Sequence, residues 1–326
     1  MDGPIRLAPV AVTGDLEDPA ALQYKARSFR RLLSDLRPAI VHVEEEPGTQ
    51  PAFIAVNEAL KLEIPSVVFS WNSLPRKRGF FEERRYRRTL SEASGLIGGN
   101  RLAEGLLAEA APQVPAMALP QQGIVPPATF ERPSSETLTM AIVGRLVQER
   151  GVDRLLRACG QLMGPWLLAV AGTGPEQEAL EELAGRLGLA SRIRWLGAIG
   201  RNEITALWQN VDVLVAPSRS TPSWVERYSS VVVEAMAHGV AAVVSAEGAL
   251  PELVGEAGVV VSSDEELLIG LQELVMDQPR RAALGHAGRK RVLDRYVDSA
   301  IARRTSEFWH EVLTRAHSDR PQSAIS

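Results

Sequence analysis

Residues 213–245 read VLVAPSRSTPSWVERYSSVVVEAMAHGVAAVVS. The apolar run Val213-Leu-Val-Ala216 has the length and β-branched content of a buried strand. A polar stretch follows, and Ser229 or Ser230 stands as the N-cap of a helix, since a hydroxyl can accept a backbone N–H that the first turn leaves unbonded. Gly239 ends that helix in the left-handed conformation. Ala241-Ala-Val-Val-Ser245 is then a second strand. Two strands joined through a helix lie parallel, so this stretch predicts an α/β fold.

The rest of the chain repeats the scheme. Strand candidates in the first half are residues 5–12, 39–43, 66–70, 95–98 and 116–119, with a helical pattern over 20–36. The second half offers strands at 139–143, 166–171, 193–196 and 259–262, with helices over 151–162, 176–187 and 204–209. Both halves read as doubly wound, Rossmann-like α/β units. The proline- and serine-rich stretch 125–136 lacks periodicity and reads as a linker. We expect a first domain over 1–128, a linker over 129–136, a second domain over 137–295, a terminal helix over 296–314 and a tail over 315–326.

Composition narrows the classes. The chain has 326 residues, 45% of them hydrophobic and 23% charged, which excludes wholesale disorder. The formal net charge of −4 argues against coating nucleic acid. A single cysteine, Cys159, excludes an internal disulfide and a thiolate metal cluster. No apolar run approaches the ~20 residues of a membrane span, and the start Met1-Asp-Gly-Pro carries no secretory pattern, so a cytoplasmic protein is expected.

In open α/β sheets, ligands sit beyond the carboxyl ends of strands. After the strand at 139–143 come Gly144, Arg145, Arg150 and Gly151. Two guanidiniums at a helix start, with glycines that let the backbone approach closely, could clamp a diphosphate; they read equally as solvated loop charges. Gly172-Thr-Gly174-Pro175 is a tight turn rather than a dinucleotide fingerprint, since Gln177 stands where the third glycine belongs. Glu226 lies on the loop after residue 216 and Glu234 in the helix that follows. These carboxylates could grip separate parts of one elongated ligand, with the helix amino end between them receiving an anion. Alone, they also fit a surface helix with two solvated acids.

Glu226-x7-Glu234 followed by Ala-Met-Ala-x-Gly resembles the signature of family 4 glycosyltransferases, retaining enzymes of the GT-B fold. Supporting pieces occur in the family's order: Val143-Gly-Arg-Leu-Val, Arg150-Gly-Val-Asp, Gly172-Thr-Gly-Pro, Trp195-Leu-Gly, Val211-Asp-Val-Leu-Val-Ala-Pro-Ser218 and Leu250-Pro-Glu-Leu-Val-Gly. The resemblance covers about residues 137–312 and extends more loosely over Pro38-Ala-Ile-Val-His42, Pro65-Ser-Val-Val-Phe-Ser-Trp71-Asn72 and Gly95-Leu-Ile-Gly-Gly-Asn100. It implies two Rossmann-like domains facing a cleft, a nucleotide-diphosphate sugar as co-substrate, no cofactor and no obligatory metal. By the same resemblance Arg145 and Arg150, with Gly144 beside them, would hold the diphosphate and stabilise it as leaving group. Glu226 would hold donor-sugar hydroxyls, and Glu234 the ribose. Backbone amides of Ser229, Ser230 and Val231 would contact phosphate, and Gly197, Ala198 and Ile199 would border the base. Arg150 stands where the family usually has lysine, and Tyr228-Ser229 where a glycine commonly follows an aromatic.

The family's leading strand and glycine-rich loop have no counterpart ahead of residues 5–12, so an abbreviated acceptor-side domain is expected. His42, Glu46, Trp71 and Asn72 follow or end strands there. A histidine or carboxylate could orient or deprotonate an acceptor hydroxyl; a partly buried histidine among surface acids fits the same residues. Residues 76–88 gather seven cations around Phe80, Phe81 and Tyr86, a pattern suited to peripheral contact with an anionic membrane or to a solvated helix face. Two functions follow. One is transfer of a sugar to a glycan, lipid-linked or small-molecule acceptor. The other is a shortened, inactive nucleotide-sugar-binding or scaffolding protein.

Overall fold

The computed structural model describes residues 7–13, 23–128 and 136–318. By contact the chain divides into two compact units, Met1–Leu119 with Ala302–Ser326, and Pro120–Ile301.

The first unit opens with a short antiparallel ribbon, β1 (Val12–Thr13) and β2 (Gln23–Tyr24). This corrects the expectation of a strand over 5–12. Residues 7–11 form no strand, because Pro9 has no N–H to give to a ladder; residues 5 and 6 lie outside the described ones. The helix expected over 20–36 is α1 (Ala26–Leu36), with residues 20–22 again outside the description. There follow β3 (Val41–Val43), α2 (Gln50–Lys61), β4 (Ser66–Ser70), α3 (Phe80–Glu92), β5 (Gly95–Gly98), α4 (Arg101–Ala110) and β6 (Ala116–Ala118). The four strands β3-β4-β5-β6 are parallel and neighbour one another in sequence order. Side chains alternate across such a sheet. Val43, Val68 and Leu96 point into a core with Ala52, Val56 and Leu90 of α2 and α3. Helix caps follow the sequence signals: the Thr49 hydroxyl accepts the Ala52 N–H at α2, and Asn100 Oδ1 accepts the Ala103 N–H at α4.

The second unit is larger. Its elements are β7 (Leu138–Val143), α5 (Val152–Cys159), β8 (Trp166–Ala171), α6 (Gln177–Arg186), β9 (Ile193–Gly197), α7 (Arg201–Trp208), β10 (Val213–Ala216), α8 (Ser230–Ala237), β11 (Ala241–Ser245), α9 (Leu250–Val254), β12 (Val259–Val261), α10 (Asp264–Met276) and α11 (Gln278–Arg295). All six strands are parallel, in the order β9-β8-β7-β10-β11-β12. Winding goes outward from β7 in one direction and then, from β10, in the other. β7 and β10 therefore flank the switch point, where an open α/β sheet forms its crevice. Both faces are covered. Leu138, Met140, Ile142, Val213 and Val215 face one core, while Ala141, Leu214, Val240 and Ala242 face the other. A strand buried on both sides must be apolar throughout, which is why these runs show no alternation.

Helix α12 (Asp298–Ser318) begins in the second unit, and from Ala302 onward belongs to the first. There Phe308 and Val312 lie against Gly95, where an added Cβ would come within 2.7 Å of Val312. The helix takes in the first four residues, 315–318, of the tail expected from 315; residues 319–326 lie outside the description. Residues 120–128, read from the sequence as the end of the first domain, group with the second unit. Ile124 explains this: its N–H donates to the Tyr296 carbonyl, and its own carbonyl accepts from Asp298 N–H. Of the linker expected over 129–136, only residue 136 is described. Among the described residues no helix is long and apolar enough to cross a membrane.

Candidate functional site

The exits of β7 and β10 build the site. After Val143 the backbone turns at Gly144 (φ 143°), passes Arg145, and makes one 3-10 turn ending at Arg150 before Gly151 (φ 66°) leads into α5. Positive φ favours glycine at both positions. Gly151 is also a point of close approach, since a Cβ there would lie 2.1 Å from the Pro217 carbonyl oxygen at the exit of β10. The same carbonyl accepts a hydrogen bond from Arg154 Nη1 at 3.2 Å. The neighbouring β8 exit shapes the turn from the other side. Leu146 N–H donates to Thr173, and a Cβ on Gly172 would sit 1.8 Å from Gly144 O. The Gly172–Gly174 turn thus packs directly on the backbone of the Gly144–Leu146 turn.

The loop after β10 carries Glu226 back onto this turn. Its carboxylate accepts from Arg150 Nη1 as an ion pair. Glu226 is 5% exposed. Burial pushes its carboxyl above the ordinary glutamate range, while the Arg150 guanidinium pulls it back. The Glu226 carbonyl accepts from Ala249 N–H at 2.8 Å, and Gly248 (φ 57°) passes so close that a Cβ would lie 2.3 Å from it. Exits of β7, β10 and β11 therefore converge on one residue, Glu226, Arg150 at its carboxylate and Gly248 and Ala249 at its carbonyl. The Trp224 ring stands 5.6 Å from the Arg150 guanidinium carbon, held in a tight turn by paired backbone bonds with Thr221.

The other expected residues are distributed around this centre. Arg145 is exposed and forms no ion pair among the described residues. Ser229 is buried as N-cap of α8, but its hydroxyl makes no cap hydrogen bond; Ser230 and Val231 form the first turn. Glu234 is half-buried one turn further on, and its carbonyl accepts from His238. Gly197 (φ 64°) ends the edge strand β9 and its carbonyl accepts from Gly172 N–H at 2.7 Å, with Ala198 and Ile199 following. Direct contact thus joins Arg150 and Glu226, with Gly144 beside the Arg150 side chain; among the described residues Glu234 and Gly197 form no hydrogen bond or ion pair with that pair.

A second ion pair was not legible in the sequence. Arg219 donates to both carboxylate oxygens of Asp153, at 2.7 and 2.8 Å. Burial alone would raise Asp153, but Arg219 and Arg157 together hold its carboxyl at about 2. Nothing in the local pattern couples residues 153 and 219; only the β7–β10 pairing does.

In the first unit, Glu46 reaches the end of β4, accepting from the Ser70 hydroxyl at 2.7 Å and from Trp71 N–H at 2.9 Å. Asn72 N–H donates to Ser70 Oγ, and Trp71 stands edge-on to Phe69. His42 does not end its strand, as was expected, but lies in the middle of β3. Its ring meets Trp309 of α12 edge-on at 5.5 Å, and burial holds its imidazole below the ordinary value against the pull of Glu44. The cation cluster is partly consumed. Arg78 stacks on Tyr86 and faces Glu83, Arg85 donates to Gly48 O, and Arg87 and Arg88 pair along α3 with Glu83 and Glu92. Phe80 and Phe81 are 75% and 81% exposed.

The fold, with a parallel sheet wound in both directions, matches solved GT-B glycosyltransferases. HepE from Anabaena, solved with UDP, superposes with a TM-score of 0.68 over 87% of this chain and 82% of its own, at 16% identity. A glycosyltransferase from Rickettsia africae gives 0.69 over 88% and 80%, at 14% identity. At such identities the likeness shows the fold. Residues 129–291 match the family of glycosyl transferases group 1, and the chain belongs to it. Among curated relatives, a GDP-mannose-dependent alpha-(1-6)-phosphatidylinositol monomannoside mannosyltransferase of Mycolicibacterium smegmatis is 34% identical over 163 residues, 47% of this chain and 43% of that one. A D-inositol 3-phosphate glycosyltransferase of Corynebacterium diphtheriae is 32% identical over 46% of this chain and 37% of its own. The match spans less than half the length of these curated relatives.

Proposed function

We propose that this chain is a retaining glycosyltransferase of family 4, moving a sugar from a nucleotide-diphosphate sugar to an acceptor hydroxyl on a glycan, a lipid or a small molecule. The observation that carries the proposal is the Arg150–Glu226 contact at the switch point of the second unit's sheet. A diphosphate leaving group gains negative charge as the glycosidic bond breaks, and a guanidinium fixed there stabilises it without reorganising. Arg150 and the exposed Arg145 supply that charge in this reading, so no obligatory metal is part of it. Glu226 accepts from hydroxyls of the donor sugar, and Glu234 from the ribose. Amides of Ser229, Ser230 and Val231 receive phosphate oxygens at the α8 amino end, with Gly197, Ala198 and Ile199 beside the base. The M. smegmatis relative is named for GDP-mannose and the Anabaena structure holds UDP, both diphosphates, which supports the donor class.

On the acceptor side the proposal uses the Glu46–Trp71–Asn72 corner, where two hydrogen bonds hold the carboxylate against the end of β4. Peripheral contact with an anionic membrane at the cytoplasmic face belongs to the same proposal. The exposed Phe80 and Phe81, with Arg76, Lys77 and Arg84 near them, suit a lipid headgroup boundary. Replacing both phenylalanines with serine is expected to abolish liposome flotation; unchanged flotation would remove the membrane from the reading.

Incubation with UDP-, GDP- and ADP-sugars, following release of the nucleoside diphosphate, tests the activity. Release from one donor, strongly reduced in Glu226→Gln, and a product of unchanged anomeric configuration are expected. An inverted product would contradict retention, and no release from any donor would contradict the transferase reading.

A further inference from the structure

The proposed donor site needs two chain segments held in register, the turn carrying Arg150 and the loop carrying Glu226. They are far apart in sequence and come from different strands. The loop's first residues are tied to the turn at several points. Arg219 N–H donates to Glu149 O at 2.8 Å, and its guanidinium grips Asp153 with both arms and reaches Gln148 O at 3.3 Å. Its attachments thus flank Arg150 on both sides, at residues 148 and 149 before it and at residue 153 after it. A bidentate guanidinium–carboxylate pair fixes orientation as well as distance, which a single charge contact does not.

We infer that Arg219 is a positioning residue, and that its two-armed grip on Asp153 sets the geometry in which Arg150 faces Glu226. It touches neither reacting atom; it acts through the turn. The inference rests on the proposed donor site for its consequence in catalysis, but the geometry it concerns exists without donor. Glu226 faces one charged side chain among the described residues, Arg150. Any loosening of the turn therefore registers on that carboxylate.

The test has two arms. In ligand-free protein, carbon-detected NMR follows the Glu226 carboxyl through a pH titration, its resonance identified by loss in Glu226→Gln. Arg219→Gln and Asp153→Asn are each expected to move its midpoint to higher pH, in the direction given by Arg150→Gln. Arg157→Gln removes the other partner of Asp153 while leaving the loop grip intact, and is expected to leave the midpoint at the wild-type value. A wild-type midpoint in folded Arg219→Gln overturns the inference; if that variant fails to fold, Asp153→Asn decides by the same criterion. The second arm is titration with UDP-, GDP- and ADP-sugars. Arg219→Gln is expected to weaken the bound donor by about ten- to a hundredfold, with Arg219→Lys between it and wild type. Unaltered donor affinity in Arg219→Gln overturns the consequence for the site. Should wild type bind no donor, the donor reading falls, while the carboxyl titration still decides whether Arg219 positions Arg150.

Discussion

Glu226 is held between two opposing effects, since burial disfavours its charge and the Arg150 guanidinium favours it. Burial dominates, so its carboxyl lies above the ordinary range. A raised carboxyl contributes fully to stability below the unfolded value of about 4.3, and that contribution is lost as pH rises through the folded value. Arg150→Ala leaves the buried carboxylate without a partner. It is expected to cost about 2 kcal/mol at pH 7, less than a fully buried pair because Arg150 is partly exposed, and to cost least near pH 4. Urea denaturation at both pH values measures the difference; an equal loss at the two would contradict the ion pair. Asp153 has the opposite sign. With its carboxyl depressed to about 2, its contribution is whole above the ordinary aspartate range and fades as pH falls toward 2. Arg219→Gln is therefore expected to remove about 1–2 kcal/mol at pH 7 and nearly nothing below pH 2. At this scale the sequence singled out Arg150 and Glu226, which the fold brings into contact, because both sit in recognisable spacings. The Asp153–Arg219 pair was not, since each residue alone is an ordinary surface charge.

Strand exits are where the elements do their work, and glycines mark how tightly the exits pack. Gly172 and Gly197 both have positive φ, yet their surroundings differ. A Cβ on Gly172 would lie 1.8 Å from a backbone oxygen, whereas on Gly197 it would meet nothing within 4 Å. Gly197→Ala is expected to cost only backbone strain, about 1 kcal/mol. Gly172→Ala must displace the Gly144 turn and is expected to cost about 3 kcal/mol or more and to weaken donor binding. Thermal melts of the two variants, compared with wild type, check the contrast; equal shifts would contradict the packing described. Phe308→Ala on α12 is expected to cost about 3–5 kcal/mol by opening a cavity beside Gly95. The alternation of elements was legible because buried parallel strands are continuous apolar runs. The first strand differs from expectation over residues 7–11, where an apolar composition conceals Pro9. His42 was misread for another reason: a strand's end cannot be located to one residue from its apolar pattern, and its neighbour Trp309 lies on a helix remote in sequence.

For the whole molecule, the sequence pattern implied two α/β units, but not that β7 and β10 would be neighbours. That adjacency turns two ordinary loops into one site, and it follows from sheet order, which local pattern does not encode. The site belongs to the second unit, within the part of the chain that matches glycosyl transferases group 1. A ligand that binds only the folded state stabilises it by about 2.7 kcal/mol at a hundred times its dissociation constant. The correct nucleotide sugar is thus expected to raise the melting temperature of wild type but not of Glu234→Ala. The most direct measurement is calorimetric titration of the wild-type chain and of Glu234→Ala with UDP-, GDP- and ADP-sugars. Micromolar binding of one donor by wild type, lost in the variant, is the predicted result and names the base. Folded wild-type protein that binds none of the three would contradict the assignment of this switch point as a nucleotide-sugar site.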